Sequence, residues 1–104
     1  MAITVTVMYP NTAGSKFDMD YYLSSHIDLV GELWGPKLLS ARAVKGIGTP
    51  DPDTPAPYQV IAILEMESMD VLHSLIEAHG EAVMGDIPNF TDVTPIVQVS
   101  ENLG

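Results

Sequence analysis

The 104 residues predict one α+β domain, spanning residues 1–104, with element order β-α-β-β-α-β and a four-stranded antiparallel sheet. Three observations carry that prediction. The run Tyr58-Gln59-Val60-Ile61-Ala62-Ile63-Leu64-Glu65-Met66 is apolar in both registers. Tyr58, Val60, Ala62, Leu64 and Met66 form one face, and Ile61 and Ile63 stand between Gln59 and Glu65 on the other. A strand that shows one face to water alternates apolar with polar, so this one is covered on both sides. Two further segments carry apolar residues at helical spacing between capping residues and glycine stops, and β-branched runs lie near both ends of the chain.

Taken in order, Ile3-Thr4-Val5-Thr6-Val7-Met8-Tyr9 alternates and is β-branched, which is strand chemistry. Pro10-Asn11-Thr12-Ala13-Gly14-Ser15 is a turn. Asp18 is suited to cap a helix, Asp20 places a favourable charge in its first turn, and Phe17 and Tyr22 hold the positions of a hydrophobic staple. The helix is expected to run to about Trp34, where Gly35-Pro36 stops it. Its predicted apolar stripe is Met19, Leu23, Ile27 and Val30, joined by Tyr22, Leu33 and Trp34, with His26 on the same side. Residues 37–47 read as a weaker strand, interrupted by Arg42 and Lys45. Residues 46–57 hold four prolines and form a long loop, of the kind that often gates a site. After the two-faced strand, Ser68 caps a second helix whose predicted inner stripe is Met69, Leu72, Ile76, His79 and Val83. Gly85-Asp86-Ile87-Pro88-Asn89 breaks that helix. Residues 93–100 form the last strand, with Pro95 marking an edge or a strand start.

This order is the split βαβ, or ferredoxin-like, arrangement. Right-handed crossovers put both helices on one face of the sheet. The second face of the apolar strand then calls for a cover, and another copy of the same chain, stacked across a two-fold axis, supplies it. The expected partner is therefore a homodimer.

Composition narrows the function classes. Fourteen acidic residues against 4 basic give a net charge of −10, which argues against nucleic acid or an anionic membrane as a partner, since phosphate contact needs clustered Lys and Arg. Zero cysteines exclude disulfides, thiolate zinc sites and thiol nucleophiles. No apolar stretch approaches the ~20 residues of a membrane span, and Met1-Ala2-Ile3-Thr4-Val5 lacks the basic segment of a signal peptide, so a cytoplasmic protein is expected. No P-loop, dinucleotide glycine pattern or nucleophile elbow is present, and the three histidines at 26, 73 and 79 fit no metal-ligand spacing. No cofactor and no metal are expected.

At Phe17-Asp18-Met19-Asp20-Tyr21-Tyr22-Leu23-x-x-His26 the chain resembles the EthD family, named from a gene cluster for ethyl tert-butyl ether degradation. The similarity is renewed at His79-Gly80-x-x-Val83-Met84-x-Asp86-Ile87-Pro88-Asn89-Phe90-Thr91-Asp92 and along Pro95-Ile96-Val97-Gln98-Val99-Ser100-Glu101. The resemblance implies a dimeric α+β barrel and a place beside oxidative degradation pathways, and it adds weight to His26 as a functional residue. One departure is Asp28, where many relatives carry proline.

His26 is the leading catalytic candidate, because imidazole moves protons near neutral pH; the alternative is a neutral histidine packed between helix and sheet. Tyr22 lies one turn earlier and is placed to share a ligand with it. Tyr9 and Trp34 are candidate apolar walls of a substrate pocket, with core packing as the alternative. His79 is read as lining the same cleft, capping its helix or packing. Asn89 is a further substrate-binding candidate, within a polar cluster of Asp86, Asn89, Thr91 and Asp92 whose plain role is to build a turn. The cleft between sheet and helices suits a hydrophobic small molecule. Three readings of function follow: a cofactor-independent acid/base enzyme of isomerase, dehydratase, cyclase or monooxygenase type, a small-ligand carrier, and an accessory dimer for an oxygenase system.

Overall fold

In the computed structural model, which describes residues 2–103, four strands form one antiparallel sheet of order β2-β3-β1-β4. They are β1 (Ile3–Pro10), β2 (Leu38–Lys45), β3 (Tyr58–Met66) and β4 (Ile96–Glu101). The two central strands are the two with the strongest apolar patterns. β1 pairs with β3 in the register Ile3↔Met66 to Tyr9↔Val60, and with β4 from Ile3↔Glu101 to Met8↔Ile96. The last strand starts later than predicted, immediately after Pro95, because proline has no N–H to give to the ladder.

The first helix spans residues 19–33, as an α turn at Met19–Tyr21, a π segment at Tyr22–His26 and an α-helix at Ile27–Leu33. The second helix is Met69–Gly85. Both start as their caps dictate: the Asp18 carboxylate accepts from the Tyr21 N–H, and the Ser68 hydroxyl from the Val71 N–H. Phe17 packs on Tyr22 with ring centroids 5.2 Å apart, which is the staple.

Both helices cover the same face of the sheet. Ile3, Val5, Leu64 and Met66 from the strands pack with Trp34 from the end of the first helix and Leu72, Leu75 and Val83 from the second. The inner stripes differ in phase from the predicted ones. On the first helix the buried residues are Tyr22 and His26, while Leu23 is 57% exposed and Ile27 is also exposed. The extra residue of the π turn rotates Ile27 and the residues after it, whereas Leu23 lies within that turn beside Tyr22. On the second helix Leu75 takes the inner place expected of Ile76, which is exposed, as is Met69. Both choices keep helical spacing from Leu72, and the sheet beneath decides between them.

The opposite face of the sheet carries Ile61 and Ile63, both half-buried within the single chain. One row crosses all four strands and is wholly apolar, running Val44, Ile61, Met8, Ile96. The neighbouring row, Arg42, Ile63, Thr6 and Gln98, is mostly polar. The long loop at residues 46–57 is pinned rather than free. Asn11 donates to Pro57 O and Ala56 O, Ala56 is buried, and Asp51 holds a turn by accepting from Asp53 N and Thr54 Oγ1.

Candidate functional site

Between the helix-covered face of the sheet and the first helix lies a cavity of about 320 Å³, within the size range of small-molecule sites. Tyr9 from β1, Tyr22, His26 and Trp34 from the first helix, and Val83 and Ile87 from the second helix and the turn after it line its walls. Leu23, Ile27 and Met84 line it too and are exposed, as are Ala41 and Ala43 of edge strand β2. The mouth therefore opens between β2 and the first helix, with Met84 from the end of the second helix at its rim. No residue of the loop at 46–57 lines the cavity, so that loop does not form its mouth, contrary to expectation.

The polar end is built by tertiary contacts. Tyr9, Phe17, Tyr22 and Phe90 form a cluster of edge-on and tilted rings with centroids between 5.2 and 6.0 Å apart. These geometries suit the ring quadrupoles and fix each ring in place. The His26 imidazole lies against this cluster, 4.7 Å from the Phe90 ring and nearly parallel to Tyr22 at 5.7 Å. His26 is 5% exposed. Tyr22 and His26 are four residues apart on one helix face, within a π turn in which Ile27 N–H bonds to Tyr22 O, five residues back.

Asp86 was placed by the sequence in a turn-building cluster, and the structure gives it a further part. Its Oδ2 lies 2.9 Å from His26 Nδ1. Its Oδ1 accepts from the Tyr21 hydroxyl at 2.7 Å and from Asn89 Nδ2 at 3.0 Å. A carboxylate only accepts, so the contact assigns a proton to Nδ1; Nε2 has no protein partner among the described residues and is the acceptor whenever the ring is neutral. Burial by itself pushes the Asp86 carboxyl up, but hydrogen bonds from Asn89, Tyr21 and His26, with the His26 charge, outweigh it and hold the group below its usual range. Donating to that carboxylate raises the Tyr21 phenol. Burial raises Tyr22, and burial followed by the neighbouring Tyr22 raises Tyr9, so both stay protonated.

Four of the six predicted site residues thus come together: Tyr9, Tyr22, His26 and Trp34 share one cavity. Two do not line it. Asn89 is exposed and reaches the site only through Asp86. His79 lies in a separate shallow depression with Leu33, Lys37 and Leu75, because the second helix turns that position toward the end of the first helix. The signal for Asp86 was its place in the Asp-Ile-Pro-Asn run, but nothing local tied it to His26. Among the described residues no three His, Cys, Asp or Glu side chains gather into a metal-binding group. No described helix is long and apolar enough to cross a membrane.

The element order, the all-antiparallel sheet and the cavity under its helices define a ferredoxin-like α+β protein. Solved structures with the same architecture include an EthD-like protein from Ralstonia eutropha JMP134, at 31% identity and a TM-score of 0.89 over 96% of this chain and 90% of that one. On that likeness, the chain belongs to the EthD-like family. An ethyl tert-butyl ether degradation (EthD) family protein from Bacillus halodurans C-125 matches at 13% identity and a TM-score of 0.69, over 99% of this chain and 100% of that one. A dimeric ferredoxin-like protein from Thermobifida fusca YX matches at 10% identity and a TM-score of 0.60, over 97% and 90%. No family model matches the chain, and no curated protein does.

Proposed function

We propose that this protein is a cytoplasmic, cofactor-independent acid/base enzyme acting on a hydrophobic, oxygenated small molecule of a degradative or secondary pathway. The observation that carries the reading is the Asp86–His26 pair at the wall of an otherwise apolar cavity. A histidine that merely packs needs no carboxylate behind it. With Nδ1 fixed by Asp86, the ring is held in one tautomer and one orientation, and Nε2 is the proton acceptor. The imidazolium formed on proton transfer is then stabilised by a carboxylate already in contact with it. Tyr22 orients the substrate beside the imidazole, and Tyr9 and Trp34 supply wall.

The same reading takes the protein as a homodimer whose open sheet faces stack. The apolar row Val44, Ile61, Met8, Ile96 supports it, as does the dimeric description of the Thermobifida fusca neighbour. The helix-covered cavity lies on the other side of the sheet, so each protomer holds its own site.

The test starts from whatever apolar compound accompanies the protein purified from its own host, extracted and identified by mass spectrometry. Incubated with fresh protein, it is expected to be converted, while His26→Gln binds it and returns it unchanged. Recovery of the compound unchanged from the wild type would replace the enzyme by a carrier.

A further inference from the structure

The polar end of the cavity has more hydrogen-bonding capacity than the protein uses. Tyr9 and Tyr22 are each 1% exposed, and both line the cavity. Neither hydroxyl has a hydrogen-bond partner in the protein among the described residues, although Tyr21, one position along, gives its hydroxyl to Asp86. Both oxygens stay open to the cavity rather than sealed in by protein, whereas the sealed donor without a partner among the described residues is Trp34 Nε1 on the same wall. The two rings meet edge to face with centroids 6.0 Å apart, and Tyr22 stacks on His26. One end of the site therefore holds two phenol donors and one acceptor, His26 Nε2, without protein partners among the described residues, while aliphatic side chains and Trp34, whose buried Nε1–H also lacks a partner there, form the remaining walls. Arg42, the one basic residue at the cavity's edge, belongs to the row on the open face with Ile63, so no cation stands ready to hold a carboxylate.

We propose that the Tyr9 and Tyr22 hydroxyls are a donor pair for an oxyanion, and that the substrate is a neutral, largely apolar carbonyl compound with a hydrogen on the carbon next to the carbonyl. This rests on the reading of His26 as the base. His26 Nε2 takes that proton, and the C–H electron pair becomes a carbon–carbon double bond. The carbonyl π pair moves onto oxygen, and the enolate oxygen accepts from both phenols. The imidazolium, held by Asp86, returns the proton to the same carbon or to a conjugated one, so atoms and charge balance with no co-reactant. Donors aimed at the site of developing charge in a water-poor cavity are the strongest lever such a site has. Burial supports the assignment, because it keeps both phenols protonated and able to donate at neutral pH.

Two probes test this with the intact protein. 2-Naphthol mimics the enolate through its acidic hydroxyl, and naphthalene is the same shape without one. Fluorescence titration is expected to show 2-naphthol bound about tenfold more tightly than naphthalene. Tyr9→Phe and Tyr22→Phe should each erode that preference and leave naphthalene binding unchanged, which also verifies that the variants are folded. Equal affinity of the wild type for the two probes would overturn the donor pair without need of any variant. In D2O, the protein should speed deuterium uptake next to the carbonyl of 2-tetralone, followed by NMR. Each Tyr→Phe change should slow uptake about a hundredfold, and His26→Gln should abolish it. A naphthol preference without any uptake would keep the donor pair and overturn the role of His26 as base.

Discussion

His26 Nδ1 and Asp86 Oδ2 are 2.9 Å apart across 60 residues of sequence. The contact joins the π turn of the first helix to the 3-10 turn that follows the second, and these are the two segments that close the polar end of the cavity. Asp86 is 12% exposed and accepts from three side chains, so its place is fixed from several directions.

Asp86→Asn keeps the volume and reverses one polarity. The new amide nitrogen faces His26 Nδ1, which must then accept, so the ring proton moves to Nε2. The nitrogen that faces the cavity changes from acceptor to donor. Ring nitrogen shifts in NMR are expected to show the tautomer change, and catalysis through His26 should be lost even though the residue is present. Loss of charge-assisted bonds to Tyr21, Asn89 and His26 should lower stability by about 1–3 kcal/mol, read from urea unfolding.

The same carboxylate makes stability depend on pH. Its ordinary value is 3.8, and the folded protein holds it lower. A group whose folded value is depressed contributes its full stabilisation above the unfolded value and loses it as pH falls through the folded one. The urea midpoint of the wild type should therefore fall between about pH 5 and about pH 2 more steeply than that of Asp86→Asn. Parallel curves would mean that Asp86 is not depressed by its partners.

The order of elements along the chain and both helix starts were legible because they follow from local chemistry: alternation in β1, two apolar faces in β3, and oxygen caps at Asp18 and Ser68. Tyr9, Tyr22, His26 and Trp34 were legible as cavity neighbours because side chains on one helix face and one strand face meet over a sheet. Helix phase was less legible. Periodicity places Leu23 and Ile27 inward together with Tyr22 and His26, and of these only Tyr22 and His26 are buried. Asp86 was not legible as part of the site. In Asp86-Ile87-Pro88-Asn89 an aspartate already has a sufficient local reason, and no spacing in the sequence encodes a partner 60 positions away.

Gly46 is fixed by a close approach rather than by a turn. A Cβ built there would lie 2.1 Å from the backbone oxygen of Tyr58 and 2.9 Å from Ala56 Cβ, while Gly46 N–H bonds to Gln59 O at 2.9 Å. Backbone in a paired strand has no flexible end to swing away. Gly46→Ala is expected to destabilise by about 1–3 kcal/mol, visible as a lowered melting temperature. Gly48→Ala is the control, since nothing lies within 4 Å of its Cβ position.

The open face of the sheet yields the last prediction. Val60 and Ile61 are neighbours on β3 that point to opposite sides. Val60 is 2% exposed beneath the aromatic cluster, whereas Ile61 stands in the apolar row with Val44, Met8 and Ile96. Lysine at either position places a charge on an apolar surface, but only at Val60 is that surface inside one chain. Val60→Lys should therefore unfold the protein. Ile61→Lys should leave it folded and abolish pairing through the sheet, because two charges would meet across a two-fold axis. Sedimentation is expected to give twice the 11.2 kDa chain mass for the wild type and the single mass for Ile61→Lys. A wild type that sediments as a monomer at micromolar concentration removes the dimer. Because the cavity lies under the helices, the Ile61→Lys monomer should still prefer 2-naphthol to naphthalene. Loss of that preference on monomerisation would mean that the partner shapes the site through the sheet.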